Sequence, residues 1–489
     1  MKTGYTTDKK EAKMEKRLLT GSVYERVFED SETLEDFFYF KPGNLFLKKV
    51  FRFLTPTLKR KKGTYEDYRN IISYLSLKKI INISPSLTII RNDLPTNHGV
   101  RISHSESIYG WWAEYGNTTG RAFAVAIGEL LERFFSSGIS EENTRKDTRG
   151  VKYVPLHNFN LFLDEQTRVF PILKTADQES YQHELCVRLY DNKKFLIPSQ
   201  FIFWSVKRDK NILTHQTTNG GGAFYSREEA LLSGIYELIH RDNFLLTWLT
   251  MDSTKKKIDL NTIKGNSSLE NLITDTLGRG LELTFLDISF DIDIPCVASI
   301  IVDKRNGDAV IGVGGAAGNN AIKCLDSALR ESLVALQTKL NNEEEMFDFN
   351  NYTPFLDTGV DRRKRLSIWK KLHDLKKISF LFSGELMSFN ELKSKERKFK
   401  NKKEELRFLI NLIRIKGEDY EVYAYEYKSD ILIDLGYHVT KVVIPALIPI
   451  YLREHYATLK SSRLAKYLGL KDRNEIKLSM LNPYPHPFP

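Results

Sequence analysis

The residues that decide the fold run from Asn219 to Asp242 and read NGGGAFYSREEALLSGIYELIHRD. Ser226, with Glu229 three positions later, forms a capping box, so we predict a helix that begins near residue 227. The glycines at 220–222 permit unusual backbone angles and close approach of a ligand. Because they come just before a helix N-terminus, their backbone amides favour a phosphate group. The stretch therefore predicts a ligand-binding loop followed by a helix.

The predicted helix carries ionisable side chains close to one face. Glu229 is followed by Glu237, His240 and Arg241 at 8, 11 and 12 positions further along the chain. Residues at such spacings return to nearly the same side of a helix. Taken alone, this helix is also consistent with a surface ion pair beside a tight turn.

Two further segments repeat the arrangement. In RAFAVAIGELLERFFSS, Glu129, Glu132 and Arg133 share one face of an otherwise apolar helix, where unpaired charges would be costly to bury. The segment GVGGAAGNNAIKCLDSALRESLVALQ passes from glycines into a helix that carries Glu331. Acids from three helices favour oxygen-ligated Mg²⁺, so ATP with more than one Mg²⁺ is the economical hypothesis. The sequence has no GxxxxGK[ST] loop, and the tripeptide HRD at 240–242 is not accompanied by a DFG motif as in kinases, so neither common ATP-binding fold is predicted.

The sequence ends in NPYPHPFP, with Pro483, Pro485, Pro487 and Pro489 at every second position. Proline fixes φ and biases the preceding residue toward extended conformations, so we predict a polyproline-like tail. Such a tail loses little entropy when it becomes ordered, which suits insertion into a specific cleft. A ragged terminus is the alternative. Because the tail has few apolar side chains, we expect it to contribute to geometry rather than to stability.

The composition is that of an ordinary globular protein: the 489 residues are 41% hydrophobic, and the formal net charge is +10. The basic clusters at 48–62 and 393–403 carry no recognition motif for nucleic acid. We interpret them as solvated surface, with a docking patch for an acidic partner as the alternative. The charged N-terminus contains no secretory signal, and the apolar stretch VVIPALIPIYL is too short to span a membrane. With three cysteines in no metal or disulfide spacing, we predict a cytoplasmic protein.

Strand-like runs such as DIPCVASIIVD alternate with helical patterns from about residue 80 to 340, which predicts an α/β fold of the mixed α+β kind. We predict a charged N-terminal extension at 1–75 and one domain at 76–489. Within that domain, the charge-rich residues 341–420 are interpreted as a peripheral insertion. The run HVTKVVIPALIPIYL is predicted to be a buried strand that leads to the proline tail at 482–489.

Four blocks together resemble the YcaO superfamily: GELLER at 128–133, the stretch from Asn219 to Asp242, the later ALRESL, and the PxPxP terminus. The PHPFP ending is similar to the peptide cyclodehydratase branch, the docking-scaffold or D components of thiazole/oxazole-modified microcin biosynthesis. The resemblance covers about residues 80–489. It implies a YcaO-like fold with several sheets flanked by helices around an ATP site.

The resemblance implies ATP-dependent modification of a peptide backbone, with ATP and Mg²⁺ as cofactors. In that family a Cys, Ser or Thr side chain of a ribosomally made precursor attacks the preceding amide carbon. ATP phosphorylates the amide oxygen, which leaves as phosphate and gives an azoline ring. The Mg²⁺ ligands implied here are Glu129, Glu132, Glu237 and His240. The implied nucleotide contacts are Asn219, Glu229, Arg241 and Glu331. The terminus implied to position catalysis consists of Pro485, Pro487 and Pro489.

The resemblance also implies partners. We expect a precursor peptide, a separate leader-binding protein similar to ubiquitin-activating enzymes, a flavin-dependent dehydrogenase that oxidises the azolines, and a homodimer. Thioamide or amidine formation is the alternative reaction, and a docking scaffold without ATP chemistry is the alternative to an enzyme. His240 stands where the family has a second Glu, Tyr225 where Asn is common, and Ser327 where Arg is common. Imidazole is a poorer Mg²⁺ ligand than carboxylate, so the scaffold alternative stays open.

Overall fold

The computed structural model describes residues 70–72, 74–75, 86–89, 93–95, 98–104, 108–114, 119–138, 149–204, 209–342 and 347–488. Most of the predicted N-terminal extension, the first basic cluster and Pro489 therefore lie outside the described residues. Ile71 and Leu75, near the end of the predicted extension, are fully buried in one apolar cluster with Leu130 and Phe135.

The described part of the chain contains three β-sheets. Their strands are β1 (Ser86–Ile89), β2 (His98–His104), β3 (Ile108–Glu114), β4 (Lys152–Tyr153), β5 (His183–Arg188), β6 (Lys194–Pro198), β7 (Gly221–Phe224), β8 (Lys257–Ile258), β9 (Glu282–Asp287), β10 (Cys296–Asp303), β11 (Val310–Ala317), β12 (Leu386–Met387), β13 (Tyr423–Tyr427) and β14 (His438–Val443). The sheets have the strand orders β1-β2-β3, β4-β6-β5-β13-β14-β7 and β11-β10-β9-β8-β12. The pairs β4–β6 and β8–β12 are parallel, and the other pairs are antiparallel.

The described residues also form α-helices, several of which pack against these sheets. They are α1 (Thr119–Ser136), α2 (Asp164–Val169), α3 (Arg227–Leu249), α4 (Ser267–Gly278), α5 (Ala321–Leu340), α6 (Arg362–Arg365), α7 (Phe389–Lys393), α8 (Lys402–Arg414), α9 (Asp430–Leu435) and α10 (Ser462–Tyr467). The combination of sheets and helices confirms the predicted mixed α+β class. Among the described residues, no helix is both long and apolar enough to cross a membrane.

The local predictions for α3, β10 and β14 are confirmed. Helix α3 begins at Arg227, and the Oγ of Ser226 accepts a hydrogen bond from the backbone N–H of Glu229 at 3.2 Å. The run DIPCVASIIVD contains β10, which is buried along its whole length and pairs with β11 over eight residues. The run HVTKVVIPALIPIYL begins with β14, whose last five residues are buried.

Helices α3 and α5 lie very close to strands because glycines face them. A Cβ atom at Gly222 would lie 2.2 Å from the carbonyl oxygen of Ala230 in α3. A Cβ atom at Gly314 would lie 2.3 Å from the carbonyl oxygen of Ala328 in α5. Gly222 lies in strand β7 rather than in the predicted loop, and Gly314 lies in strand β11. Any larger residue at either position would push the helix away from its strand, so the two glycines set the position of both acid-bearing helices.

The charged segment that we interpreted as a peripheral insertion supplies buried side chains to three apolar clusters. Trp369, Leu392 and Leu409 each lie in a different cluster, and each is at most 1% exposed. Strand β12 extends the five-stranded sheet by pairing with β8. Apart from the buried Glu405, the charged side chains of α8 are at least partly exposed, while its apolar stripe packs inwards. The high density of charge in this part of the sequence therefore belongs to an amphipathic helix. The division of the chain into domains stays a prediction.

The proline tail lies inside the protein. The backbone N–H of Asn482 donates to the carbonyl of Leu249 at 2.9 Å, and the Nε1–H of Trp248 donates to the carbonyl of Tyr484 at 2.9 Å. Phe488 is 2% exposed and belongs to the same apolar cluster as Trp248. The premise that the tail has little to bury is therefore wrong, because His486 and Phe488 are buried among side chains from distant parts of the sequence. Its contribution to stability stays a prediction.

A buried ion network joins α3 to α10. The Nε of Arg463 donates to Oδ2 of Asp242 at 2.6 Å, and its Nη1 donates to Oδ1 of Asp291 at 2.5 Å. The other oxygen of Asp242 accepts from the backbone N–H of Ile448 at 2.8 Å. Arg463 and Asp242 have no exposed side-chain surface. The network therefore fixes the end of the Asn219 to Asp242 stretch against the C-terminal part of the chain.

Replacing Arg463 with Met should lower the free energy of unfolding by about 3–5 kcal/mol, because Asp242 would remain buried without its cation. Urea denaturation measures this change. The matched control is Lys466→Met: Lys466 contacts Asp291 at 3.4 Å, but its side chain is 60% exposed. Exposed pairs typically contribute about 0–1 kcal/mol. Equal losses in the two variants would contradict the assignment of a buried network.

Candidate active site

Two consecutive glycines hold carboxylates from different helices. Gly220 has a φ of +83°, which favours glycine, and its N–H donates to Oε2 of Glu237 in α3 at 2.5 Å. A Cβ atom at Gly221 would lie 2.4 Å from the carboxyl carbon of Glu132 in α1. The backbone of this loop therefore lies directly against Glu237 and Glu132, and a side chain at Gly221 would displace the second.

The carboxylates of α1 and α3 repel one another. The pKa of Glu132 is raised to about 8, chiefly by burial and then by the negative charges of Glu237 and Glu129. The positive charges of Arg133 and Lys441 oppose this increase without cancelling it. Glu129 forms an ion pair with Arg133 one turn along the same helix. In the ligand-free protein, Glu132 is therefore mostly protonated at neutral pH, and a bound cation would favour its ionised form.

Helix α5 adds a fourth acid. The Oε2 of Glu331 accepts a hydrogen bond from the backbone N–H of Gly315 at 2.7 Å. Burial raises the pKa of Glu331 to about 7; the Gly315 amide and Arg241 lower it, whereas Glu237 and Glu129 raise it further. Acids from the three helices singled out in the sequence thus lie within electrostatic reach of one another.

Arg241 joins two of the predicted residues. Its Nη2 contacts Oε1 of Glu237 at 2.9 Å, and its Nη1 donates to Oδ1 of Asn219 at 2.9 Å. Its Nε is buried and has no hydrogen-bond partner among the described residues. The guanidinium therefore fixes the loop and retains an unused donor beside the carboxylates.

Lys441 is a site residue that the sequence analysis missed. It lies in β14, is 3% exposed, and donates from Nζ to the carbonyl of Thr217 at 2.8 Å. Burial lowers its pKa to about 8, although Glu237 and Glu132 favour the charged form. With Asn219 it lines a cavity of about 50 Å³. The sequence gives one indication of its role, because Lys441 is a single charged residue in the otherwise apolar run HVTKVVIPALIPIYL. A lysine is rarely buried in such a run unless it has a partner.

Glu229 lies at the start of α3, away from the convergent acids. Eight residues separate it from Glu237, which is about 12 Å along a helix axis. Its Oε2 accepts a hydrogen bond from the Oγ of Ser226 at 2.8 Å. The described contact of Glu229 is therefore that of a helix cap, and its contact with a nucleotide stays a prediction.

His240 occupies an apolar environment next to the tail. It is 7% exposed, and its ring centroid lies 5.8 Å from that of Phe488. Burial, together with the positive charge of Arg241, lowers the pKa of His240 to about 3, so the imidazole is neutral at physiological pH. Its Nε2 is buried without a hydrogen-bond partner among the described residues. A role as a Mg²⁺ ligand stays a prediction.

The end of the tail contacts the same region. A Cβ atom at Gly315 would lie 3.1 Å from Cδ2 of His240 and 3.2 Å from Cε2 of Phe488. Phe488 thus packs beside the residue whose N–H holds Glu331. Of the prolines predicted to position catalysis, Pro485 and Pro487 are buried just before Phe488, and Pro489 lies outside the described residues. Their role in catalysis stays a prediction.

The residues present fit Mg²⁺ bound together with a phosphate-containing ligand. Mg²⁺ takes oxygen ligands and usually combines one or two carboxylates with waters and phosphate oxygens. The raised pKa values of Glu132 and Glu331 indicate negative charge that a divalent cation would stabilise. Within the described residues, no three His, Cys, Asp or Glu side chains are grouped closely enough to hold a metal by themselves. Phosphate oxygens and water would therefore complete the coordination.

Comparison with known proteins places these features in a family. The family model described as YcaO cyclodehydratase, binding ATP and Mg²⁺, matches residues 115–448. An uncharacterized protein of Methanothermobacter thermautotrophicus is 21% identical over 400 residues, which cover 80% of this chain and 95% of that protein.

Two solved structures share the fold. A heterocyclase in complex with substrate and cofactor superposes with a TM-score of 0.66 at 18% identity, covering 86% of this chain and 57% of the heterocyclase. This chain therefore spans little more than half the length of that protein. YcaO from Methanopyrus kandleri, bound with AMPPCP and Mg²⁺, superposes with a TM-score of 0.56 at 16% identity, covering 78% of this chain and 91% of the other. Because the family match extends over more than half of its residues, the chain belongs to the YcaO cyclodehydratase family, for which ATP and Mg²⁺ are the described cofactors.

Proposed function

We propose that this protein is an ATP-dependent peptide cyclodehydratase, which converts Cys, Ser or Thr residues of a ribosomally made precursor into azolines. The observation that carries the proposal is the convergence of incompletely balanced acids from α1, α3 and α5 beside a glycine loop. Such a cluster is costly to bury and is stabilised by a divalent cation that arrives with a negatively charged ligand. A site without a cationic ligand would gain nothing from this arrangement.

The reaction needs a poor leaving group to become a good one. The sulfur or oxygen of the precursor side chain forms a bond to the preceding amide carbon and loses its proton. The amide oxygen takes the γ-phosphoryl group of ATP and leaves as phosphate when its bond to carbon breaks, while the amide nitrogen loses its proton and forms the C=N bond of the azoline. The net change is the loss of one water from the peptide and the hydrolysis of one ATP to ADP and phosphate. Mg²⁺ would supply charge stabilisation for the transferred phosphoryl group.

Different residues of the site would bind the metal and the phosphate groups. Glu129, Glu132 and Glu237 would hold Mg²⁺. Arg241 and Lys441 would face the phosphate oxygens, since the half-buried Arg241 and the buried Lys441 are the basic side chains next to those acids. Asn219 would remain oriented toward the same cavity by its hydrogen bond to Arg241.

Partners are part of the proposal. The heterocyclase of similar fold is considerably longer than the span that this chain matches. From the resemblance to the cyclodehydratase branch, we propose that a separate leader-binding protein, similar to ubiquitin-activating enzymes, delivers the precursor. A flavin-dependent dehydrogenase would oxidise the azolines, and the enzyme would work as a homodimer in the cytoplasm.

One observation favours a second candidate. His240 is neutral and packed against Phe488 where the family has a second Glu, which favours a docking scaffold without ATP chemistry. Thioamide or amidine formation is the other reaction to separate from ring formation.

Mass spectrometry of the precursor, incubated with the protein, ATP and the leader-binding partner, should reveal the loss of one water for each ring. The change requires ATP, because the amide oxygen leaves only as phosphate. Thioamidation would instead exchange one oxygen for sulfur and would contradict ring formation. An unmodified precursor together with no ATP hydrolysis would support the scaffold.

Changing Glu132 to Gln should reduce ATP hydrolysis by orders of magnitude, since charge stabilisation of a phosphoryl group is typically worth several kcal/mol. The initial rate of phosphate release at saturating Mg²⁺ measures this. Glu228→Gln is the matched control, because Glu228 lies in the first turn of α3 outside the convergent acids. If a folded Glu132→Gln protein hydrolyses ATP at the normal rate, the ligand assignment is wrong.

The raised pKa values also predict how stability depends on pH. Glu132 and Glu331 bind protons more tightly in the folded protein than in the unfolded chain. Their contribution to stability is therefore present at low pH and is lost as the pH rises from the ordinary carboxyl value of 4.5 through about 7 and about 8.

Mg²⁺ with AMPPCP binds the ionised carboxylates, so it should raise Tm more at about pH 8 than at about pH 6. Thermal unfolding with and without this mixture measures the difference. Glu132→Gln should also flatten the decline in Tm of the ligand-free protein. A ligand-induced increase in Tm that is the same at both pH values, or larger at about pH 6, would contradict the account.

A further inference from the structure

The buried tail is held mainly through its carbonyl groups. Proline has no backbone N–H, so the alternating prolines leave acceptors that side chains must satisfy. The Nε1–H of Trp248 donates to the carbonyl of Tyr484 at 2.9 Å, and the Nε1–H of Trp369 donates to that of Pro485 at 3.0 Å. The Nη1 of Arg365 donates to the carbonyl of His486 at 2.9 Å. The Nζ of Lys339 donates to the carbonyl of Pro487 at 3.5 Å. The carbonyl groups of four consecutive residues, 484–487, therefore each accept a hydrogen bond from a side chain.

Arg365 is the centre of this arrangement. Its Nε donates to the carbonyl of Leu452 at 2.8 Å, and its Nη2 pairs with the fully buried carboxylate of Glu454. The hydroxyl of Tyr352 donates to the other oxygen of Glu454 at 3.1 Å. Arg365 itself is 5% exposed. Its planar guanidinium group thus joins its own segment to residues 452–454 and to the tail at fixed angles. The single ammonium group of lysine could not reproduce this geometry.

The donors that hold the tail also connect it to the candidate site. Trp248 lies on α3, the helix that carries Glu237, and Lys339 lies on α5, the helix that carries Glu331. At the inner end of the tail, Phe488 packs beside Gly315, whose N–H donates to Glu331 at 2.7 Å. A displacement of the tail would therefore remove the packing that holds Gly315 and Glu331 in their relative positions.

We propose that Arg365 is a positioning residue for the reaction and that it acts through the tail. The residues Tyr352, Arg365, Trp369 and Glu454 form a collar that sets how far the tail extends toward Gly315 and Glu331. This inference rests on the proposed function only because ATP hydrolysis and ring formation are the reactions whose rates are measured. The collar includes residues from the charge-rich segment at 341–420, so that segment contributes to the site without touching substrate.

A double-mutant cycle tests the proposal. Arg365→Lys in the full-length protein should lower kcat for ATP hydrolysis and for ring formation by about 10²-fold, as expected when reacting groups are misplaced by about 1 Å, with a smaller change in KM for ATP. In a protein that lacks residues 486–489, the same substitution should cause no further loss, because the tail through which it acts is gone. A loss of equal size in both backgrounds would overturn the proposal and assign Arg365 a purely structural role.

Hydrogen–deuterium exchange of the C-terminal peptide separates failure of the collar from failure of the proposed function. In Arg365→Lys, the amides of Tyr484, His486 and Phe488 should exchange faster than in the unmodified protein. Faster exchange together with an unmodified precursor in every protein would reject the cyclodehydratase and retain the collar. Normal exchange and a normal kcat in Arg365→Lys would overturn the collar whether or not rings form.

Two further variants keep the test decisive. Trp369→Phe retains an aromatic ring and removes the donor to Pro485, so it should give a smaller change in the same direction if Arg365→Lys does not fold. Arg473→Gln is the matched control, since Arg473 donates to the carbonyl of Phe159 at 3.1 Å and makes no hydrogen bond to the tail among the described residues. A change in tail exchange for Arg473→Gln equal to that of Arg365→Lys would also overturn the proposal.

Discussion

The structure depends on the close approach of two helices to glycine-bearing strands. A Cβ atom at Gly222 or Gly314 would lie within 2.3 Å of a carbonyl oxygen in α3 or α5. This approach brings Glu237 to the N–H of Gly220 and Glu331 to the N–H of Gly315. Backbone amides can stabilise a carboxylate without adding a full positive charge. The fold can therefore bury several acids together and still leave them able to bind a divalent cation.

The electrostatic consequence is a site that is incomplete without a ligand. Glu132 and Glu331 have pKa values raised to about 8 and about 7, and Lys441 has one lowered to about 8, so burial opposes charge on acid and base alike. Mg²⁺ and phosphates would replace these imperfectly balanced interactions with direct coordination. The position of the tail relative to the site is fixed in a similar way. Its carbonyl groups accept hydrogen bonds from donors that lie on or near the acid-bearing helices.

Much of the fold and part of the site could be predicted from the sequence, because those features are local. The capping box at Ser226 and Glu229 predicts where α3 begins, and acids on apolar helices predict the convergent carboxylates. Lys441 and Arg365 could not be assigned in this way, since their meaning depends on partners that are distant in sequence. The same limit explains the tail: alternating prolines predict its conformation, whereas its burial depends on donors contributed by other elements.

The central claim is that the acids of α1 and α3 bind Mg²⁺ together with ATP. Crystals grown with Mn²⁺ and AMPPCP would test it directly, because anomalous scattering locates Mn²⁺ independently of the protein coordinates. The account predicts a metal peak about 2.1 Å from a carboxylate oxygen of Glu132 or Glu237 and from a phosphate oxygen of the nucleotide. Nucleotide bound elsewhere, or a metal peak that contacts none of the acids of α1 and α3, would contradict it.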